Sequence, residues 1–331
     1  MMKRQLGPDR QTSALGIGTW AIGGPWIFDG RPAGWGAVDD DESIRMIHAS
    51  VAAGVRLFDT ADVYGTGHSE SVLGRALAQL PAGVRDEIVV ATKFGNVFDE
   101  VARIGGGQDI SPAYIRQACE NSLRRLGVES IDLYQMHGGV ATAAEAAPVV
   151  EVLDQLAEEG RIRTFGTSVD VPEVMEAFAK SQYGQTVQTQ ANVFGYDPAV
   201  LEVAERNNLA VLVRSPLAMG LLTGKYDLTN RPPADDVRRD TPWWTYFDDD
   251  AMAVWLERLN TIRDLLTTDG RTLAQGCIAY LWTLDPAIIP LPGARTVAQA
   301  EENAAALTSG PLPETTTKEI TTLMTDSPER H

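Results

Sequence analysis

Cationic side chains are scarce in this chain: 28 lysines and arginines stand against 45 aspartates and glutamates, a net charge of −17 over 331 residues. A surface this acidic repels nucleic acid and anionic membranes, so neither is expected as a partner. Any anionic ligand has to be held by a local cluster of positive groups, which makes each Arg or Lys in a loop worth following. Cysteine is nearly absent. Cys119 and Cys277 both fall in helical patterning and read as reduced core residues, with no disulfide framework. The only histidines are His48, His68, His137 and His331; none has the paired spacing of HExxH, so no metal site is expected. No apolar run approaches the length of a membrane span, and the start (Met1, Met2, Lys3, Arg4, Gln5) lacks the apolar core of a signal segment, which leads to the expectation of a cytoplasmic protein. GxGxxG does not follow the first strand and GxxxxGK[ST] does not occur, so a Rossmann or P-loop nucleotide site has no support.

What the chain does have is a recurring alternation. Short apolar segments at 55–60, 87–94, 131–137, 163–169, 186–192, 209–217 and 287–291 read as buried strands, with an eighth expected within 308–312. Amphipathic stretches at 42–53, 111–126, 148–159, 171–180, 198–207 and 272–284 lie between them, and a last helix is expected at 314–324. Strand–helix alternation along the whole chain implies parallel pairing with helices outside, and the strand count favours a closed barrel in one domain, 1–331. Residues 3–18 read as a hairpin turning at Gly7-Pro8-Asp9-Arg10, placed to plug the barrel floor. Ser111 before Pro112, and the carboxylates of 39–42, mark helix starts. Three long connections, 23–39, 95–110 and 223–250, break the rhythm and carry Trp26, Phe28, Trp35, Trp243, Trp244, Tyr246 and Phe247. They read as walls of a pocket, or equally as aromatics that pack the loops onto the barrel.

Three strands end on polar residues that make chemical sense together. "FDTADVYG" carries Asp59 and Tyr64, "VVATKFG" carries Lys93, and "DLYQMH" carries His137. On successive barrel strands these would meet at the carboxyl mouth, where barrel active sites sit. A lysine finishing an apolar strand is costly unless paired, and Asp59 is its natural partner. A buried ammonium beside Tyr64 is expected to stabilise the phenolate and pull the phenol pKa down from about 10. His137 would then bind and orient a substrate oxygen. Singly, each residue has a plainer reading as a turn, core or loop residue; their order carries the weight.

In these residues the chain resembles the aldo-keto reductase family, from the segment 16–20 to the region of Asn303. The resemblance implies a (β/α)8 TIM barrel with an N-terminal β-hairpin and long loops at the C-terminal face of the strands. It implies NADPH/NADP+ as cofactor, a small-molecule carbonyl substrate, and Asp59, Tyr64, Lys93 and His137 as a catalytic tetrad with Tyr64 as proton donor. Thr19, Trp20 and Asp59 would adjoin the cofactor, with Ser168 and Gln188 at the nicotinamide carboxamide. Ser215, Leu217, Gly220, Leu222 and Lys225, in "SPLAMGLLTGKY", would wrap the pyrophosphate. Gly293, Arg295, Gln299 and Asn303, in "PLPGARTVAQAEEN", would clamp the adenosine side.

That last segment also makes sense by itself: glycine permits close approach, a following helix offers N–H groups to phosphate, and Arg295 is a planar fork suited to a 2′-phosphate. Two positions depart from the commonest family pattern. Val169 stands where Asn often follows the serine, which removes one carboxamide contact. Arg214 stands where many members stack a Tyr on the nicotinamide. A free guanidinium there would repel the oxidised, cationic ring and bias the enzyme toward reduction, whereas pairing with a carboxylate would cancel that effect. Besides the reductase, two alternatives fit the sequence: an NADPH-binding regulatory or channel-associated subunit of the same fold with vestigial chemistry, and a barrel of unrelated chemistry.

Overall fold

The computed structural model describes residues 2–7, 10–239 and 241–325; Pro8 and Asp9 of the expected hairpin turn, Asp240 and His331 lie outside them. Eight parallel strands form one sheet in the spatial order Ile17–Gly18, Leu57–Asp59, Val89–Phe94, Ile131–Met136, Ile162–Thr167, Gly184–Gln190, Ala210–Arg214 and Ile288–Pro290. Bonds from Gly16 N–H to Pro290 O (3.0 Å) and from Gly18 N–H to Pro292 O (3.1 Å) join the last strand to the first and close the barrel.

Seven strands lie where the apolar runs placed them. The eighth does not: 308–312 holds the end of the helix Val297–Ser309 and the turn after it, and Ile17–Gly18 is the missing strand. Two residues carry no periodicity to read, and only pairing with neighbours on both sides makes them a strand.

The period of two sorts the barrel interior into layers. Leu57, Val89, Ala91, Leu133, Leu212, Ile289 and Leu291 form a dry cluster with Leu6. Leu6 follows the strand Lys3–Gln5, which pairs antiparallel with Gln11–Ser13, so the N-terminal hairpin does plug the floor. Burying a leucine there contributes about 1.5–3 kcal/mol. Two residues beyond Leu57, Ala91 and Leu133, toward the carboxyl mouth, come Asp59, Lys93 and Gln135, all buried. The apolar floor thus passes directly into a polar layer.

Helix starts follow local chemistry. Asp39 caps Asp40–Ala52 by accepting from Asp41 and Glu42 N–H (2.9 and 3.2 Å), and Ser111 caps Pro112–Leu126. The helix expected from Pro148 instead begins at Ala143, where Thr142 and Glu145 form a capping box and Pro148 lies inside. Helices His68–Ala78 and Met252–Leu266 were not marked by the sequence reading. Two of the three long connections are also more regular than expected: Ile27–Phe28, Arg31–Pro32, Asn96–Asp99 and Ile104–Gln108 build a four-stranded sheet. No helix among the described residues is long and apolar enough to cross a membrane.

Candidate active site

Lys93 is fully buried and its Nζ donates to Asp59 Oδ1 (2.5 Å) and to Thr60 O (2.7 Å). It lies 5.1 Å from the centre of the Tyr64 ring. Asp59 Oδ2 accepts from Gln135 Nε2 (3.0 Å) and Gln188 Nε2 (2.9 Å), so both carboxylate oxygens are held. Tyr64 stacks on Trp20 (5.5 Å between centroids, 12° between planes) and meets the His137 ring edge-on at 5.9 Å. Asp59, Tyr64, Lys93 and His137 are therefore brought together. The loop carrying Tyr64 is fixed by close backbone approach: a Cβ on Gly65, whose φ is +61°, would lie 1.9 Å from Gly23 O.

The charges sort themselves by burial. Burial works against the Lys93 ammonium, but Asp59 and Tyr64 outweigh it and hold its pKa above the ordinary value. Burial raises the Tyr64 pKa, and Lys93 opposes that without overcoming it. This corrects the expectation of a lowered phenol pKa: the desolvation of a phenolate outweighs the nearby ammonium, and the residue stays a phenol at neutral pH. Burial, then Lys93 and Arg214, pull the His137 pKa down to about 3. The imidazole is neutral, and its buried Nδ1 has no hydrogen-bond partner among the described residues.

Asp59, Tyr64 and His137 line a cavity of about 940 Å³ that extends to Gly293, Arg295, Gln299 and Asn303, with Lys93 buried behind it. That size is at the upper end for small-molecule sites and suits a dinucleotide with a small second ligand. Thr19, Trp20, Ser168, Gln188, Arg214, Ser215, Leu217, Gly220 and Lys225 also line it. Leu222 does not; it is fully buried in the core behind the loop. Ser215, Ala218, Met219, Gly220 and Gly224 all have positive φ. Non-glycine residues hold such backbone only under constraint from their surroundings, and here turns within the loop, such as Ala218 N–H to Ser215 O (3.0 Å) and Gly220 N–H to Leu217 O (2.8 Å), hold it along the cavity. The cavity's size and this loop fit a nicotinamide dinucleotide.

Both arginines flagged in the sequence are engaged within the chain. Arg214 pairs with Asp170 (Nη2–Oδ2, 2.5 Å) and donates to Gln188 O (2.9 Å). The carboxylate offsets part of the charge that the sequence argument set against an oxidised ring; the guanidinium is paired, the second of the two arrangements considered for it. Arg295 donates from Nη1 to Trp35 O (2.8 Å) and from Nη2 to Ala37 O (2.5 Å). Asn303 Nδ2 donates to Gly293 O (3.3 Å), closing the turn before the helix.

Of the loop aromatics, Trp26, Phe28, Trp35, Trp243 and Trp244 line the cavity, while Tyr246 and Phe247 pack in the core. Both readings of those residues thus hold, for different members. The sequence reading missed Gln135, although its position two residues after the floor residue Leu133 is the signal that would have found it. It also missed Asn96 and Gln108, whose side-chain amides donate to His137 O (3.4 and 3.3 Å). The segment 237–238, which bridges to the opposite loop, carried no signal: Val237 N–H bonds Gly34 O (2.9 Å), and Arg238 lies 4.3 Å over the Trp35 ring.

Comparison with known proteins gives a consistent picture. Residues 14–324 match the model of the Aldo/keto reductase family. The aldo-keto reductase YhdN of Bacillus subtilis (strain 168) is 33% identical over 298 residues, 88% of this chain and 84% of that protein. The NADH-specific methylglyoxal reductase of Escherichia coli (strain K12) is 33% identical over 322 residues, 93% of this chain and 94% of its own. Among solved structures, the glycerol dehydrogenase AKR11B4 from Gluconobacter oxydans superposes with a TM-score of 0.80 at 33% identity, covering 99% of this chain and 98% of that one.

Proposed function

Since the chain belongs to the aldo/keto reductase family, we propose that it reduces an aldehyde or ketone to the alcohol with a reduced nicotinamide dinucleotide, Tyr64 serving as proton donor. The observation that carries this reading is the buried Lys93–Asp59 pair lying against Tyr64 at the head of a dinucleotide-sized cavity.

When bound, the cofactor supplies a hydride to the carbonyl carbon. The chain's own residues handle the rest. Tyr64, protonated at neutral pH, gives its phenolic proton to the carbonyl oxygen as negative charge develops there. Lys93 faces the phenolate left behind and stabilises it, and Asp59 holds Lys93 charged in its buried place. His137, neutral and lining the cavity, can hydrogen-bond the same oxygen without competing for the proton. Ser168 and Gln188 line the cavity where they can orient the nicotinamide, and the loop 215–224 with Lys225 can hold the pyrophosphate. Arg295 supports NADPH as the preferred form: a guanidinium in the wall formed with Gly293, Gln299 and Asn303 matches a 2′-phosphate once it leaves the Trp35 and Ala37 carbonyls.

The test is a turnover assay with a panel of aldehydes and ketones, following loss of reduced-cofactor absorbance. Titration of NADPH and NADH against wild type and Arg295→Ala tests the choice of cofactor: an NADPH preference that the substitution abolishes supports the reading, and one it leaves intact opposes it.

A further inference from the structure

Five aromatic rings that line the cavity meet at its Tyr64 end, and Trp20 joins them. Besides stacking on Tyr64, the Trp20 indole meets Trp35 and Trp244 edge-on, each at 5.9 Å between centroids, and Trp243 is tilted against it at 6.2 Å. The wall is fixed before any ligand arrives: Trp20 Nε1 donates to Ala33 O (2.9 Å), and Val237 N–H to Gly34 O ties together the two loops that carry Trp35 and Trp243. Trp243 itself is 50% exposed, which leaves apolar area at the cavity edge for a flat ligand to cover.

The charges at this end are paired. Among the described residues, the cationic side chains lining the cavity are Arg214, Lys225, Arg238 and Arg295. Arg214 is paired with Asp170 and Arg238 with Asp236 (2.6 Å), while Lys225 and Arg295 lie in the stretch read as the pyrophosphate and adenosine site. His137 is neutral, and the Asn96 and Gln108 amides already donate to its carbonyl oxygen. A carboxylate brought to Tyr64 would lose its water without gaining a free cation, in a chain of net charge −17.

Resting on the reading of this cavity as a carbonyl-reducing site, we propose that its substrates are uncharged carbonyl compounds bearing a flat aromatic ring, and that Trp243 is the residue that selects them. The ring packs on the tryptophan wall while the carbonyl reaches Tyr64. Aromatic faces and edges carry opposite partial charge, so such a ring gains contacts here that a saturated ring of the same bulk does not.

The experiment compares kcat/KM in the full chain for four aldehydes that share one reacting end: propanal and its phenyl (hydrocinnamaldehyde), cyclohexyl and carboxylate (succinic semialdehyde) derivatives. Wild type is expected to favour the phenyl compound about tenfold or more over propanal and over the carboxylate, and about threefold over the cyclohexyl compound. Trp243→Ala is expected to erase the preference for phenyl over cyclohexyl, and Trp243→Phe, which keeps a ring, to retain it. A cyclohexyl or carboxylate compound turned over as well as the phenyl one, a phenyl preference that survives Trp243→Ala, or no reduction of the phenyl compound beside an active member of the wider carbonyl panel would each overturn the inference while leaving the reductase reading in place. Turnover of no carbonyl at all would overturn both.

Discussion

Gln135 donates its side-chain amide to Asp59 Oδ2 at 3.0 Å, on the carboxylate oxygen opposite the one that Lys93 holds. Asp59 is therefore a hub whose rotation is fixed from two sides, and through it the ammonium of Lys93 is fixed against Tyr64. Gln135→Leu removes a donor from a buried carboxylate, at an expected cost of about 1–3 kcal/mol in a urea melt. Gln135 does not line the cavity, so kcat is expected to fall while KM and cofactor affinity hold. A loss confined to KM would show that the amide acts on substrate instead.

The Lys93–Asp59 pair separates stability from chemistry. Lys93→Met leaves a buried carboxylate without its cation and is expected to destabilise the fold by about 3–5 kcal/mol. The double variant Lys93→Met/Asp59→Asn removes both charges and is expected to recover most of that stability, yet to remain as inactive as the single variant. Denaturation and turnover measured side by side check this. Activity returning with stability would assign the pair a purely structural role.

His137 is expected to leave a mark on stability at acid pH. Its folded-state pKa, about 3, lies below the ordinary value of 6.5, so the unfolded chain binds the proton more readily. Stability from this group is fully present above 6.5 and is lost as pH falls from there toward 3. Against wild type, His137→Gln is expected to flatten the stability–pH curve within that window. The pH–rate profile is expected to show no limb near 6.5, since the imidazole does not titrate there.

Arg214 and Asp170 offer a test of local charge. Asp170→Asn frees the guanidinium beside the proposed nicotinamide site, and it is expected to weaken oxidised cofactor by about three- to tenfold relative to reduced. Fluorescence titration of both forms checks this. Equal changes would place the pair away from the ring.

The parts of this molecule that were legible from sequence share a physical property: they are set by short-range patterning. The buried strands that carry Asp59 and Lys93 announce themselves because a charged residue near the end of an apolar run demands a partner, and these two proved to be each other's; His137, just past its strand, meets Tyr64 edge-on instead. The strand Ile17–Gly18 and the small sheet of the long loops were illegible because pairing with distant segments, and no local preference, makes them strands. The pKa of Tyr64 went the other way from expectation for a related reason: the sequence shows a neighbouring cation, while the extent of burial exists only in three dimensions. The engagements of Arg214 with Asp170, and of Arg295 with Trp35 and Ala37, likewise depend on which loops meet.

Replacing one oxygen tests the central claim most directly. Tyr64→Phe keeps the ring on Trp20 and removes only the phenolic hydroxyl. With the most active carbonyl substrate of the panel, kcat is expected to fall by about 10²–10⁴-fold while the cofactor dissociation constant stays within about twofold of wild type. A variant that turns over at a rate close to wild type would contradict the account.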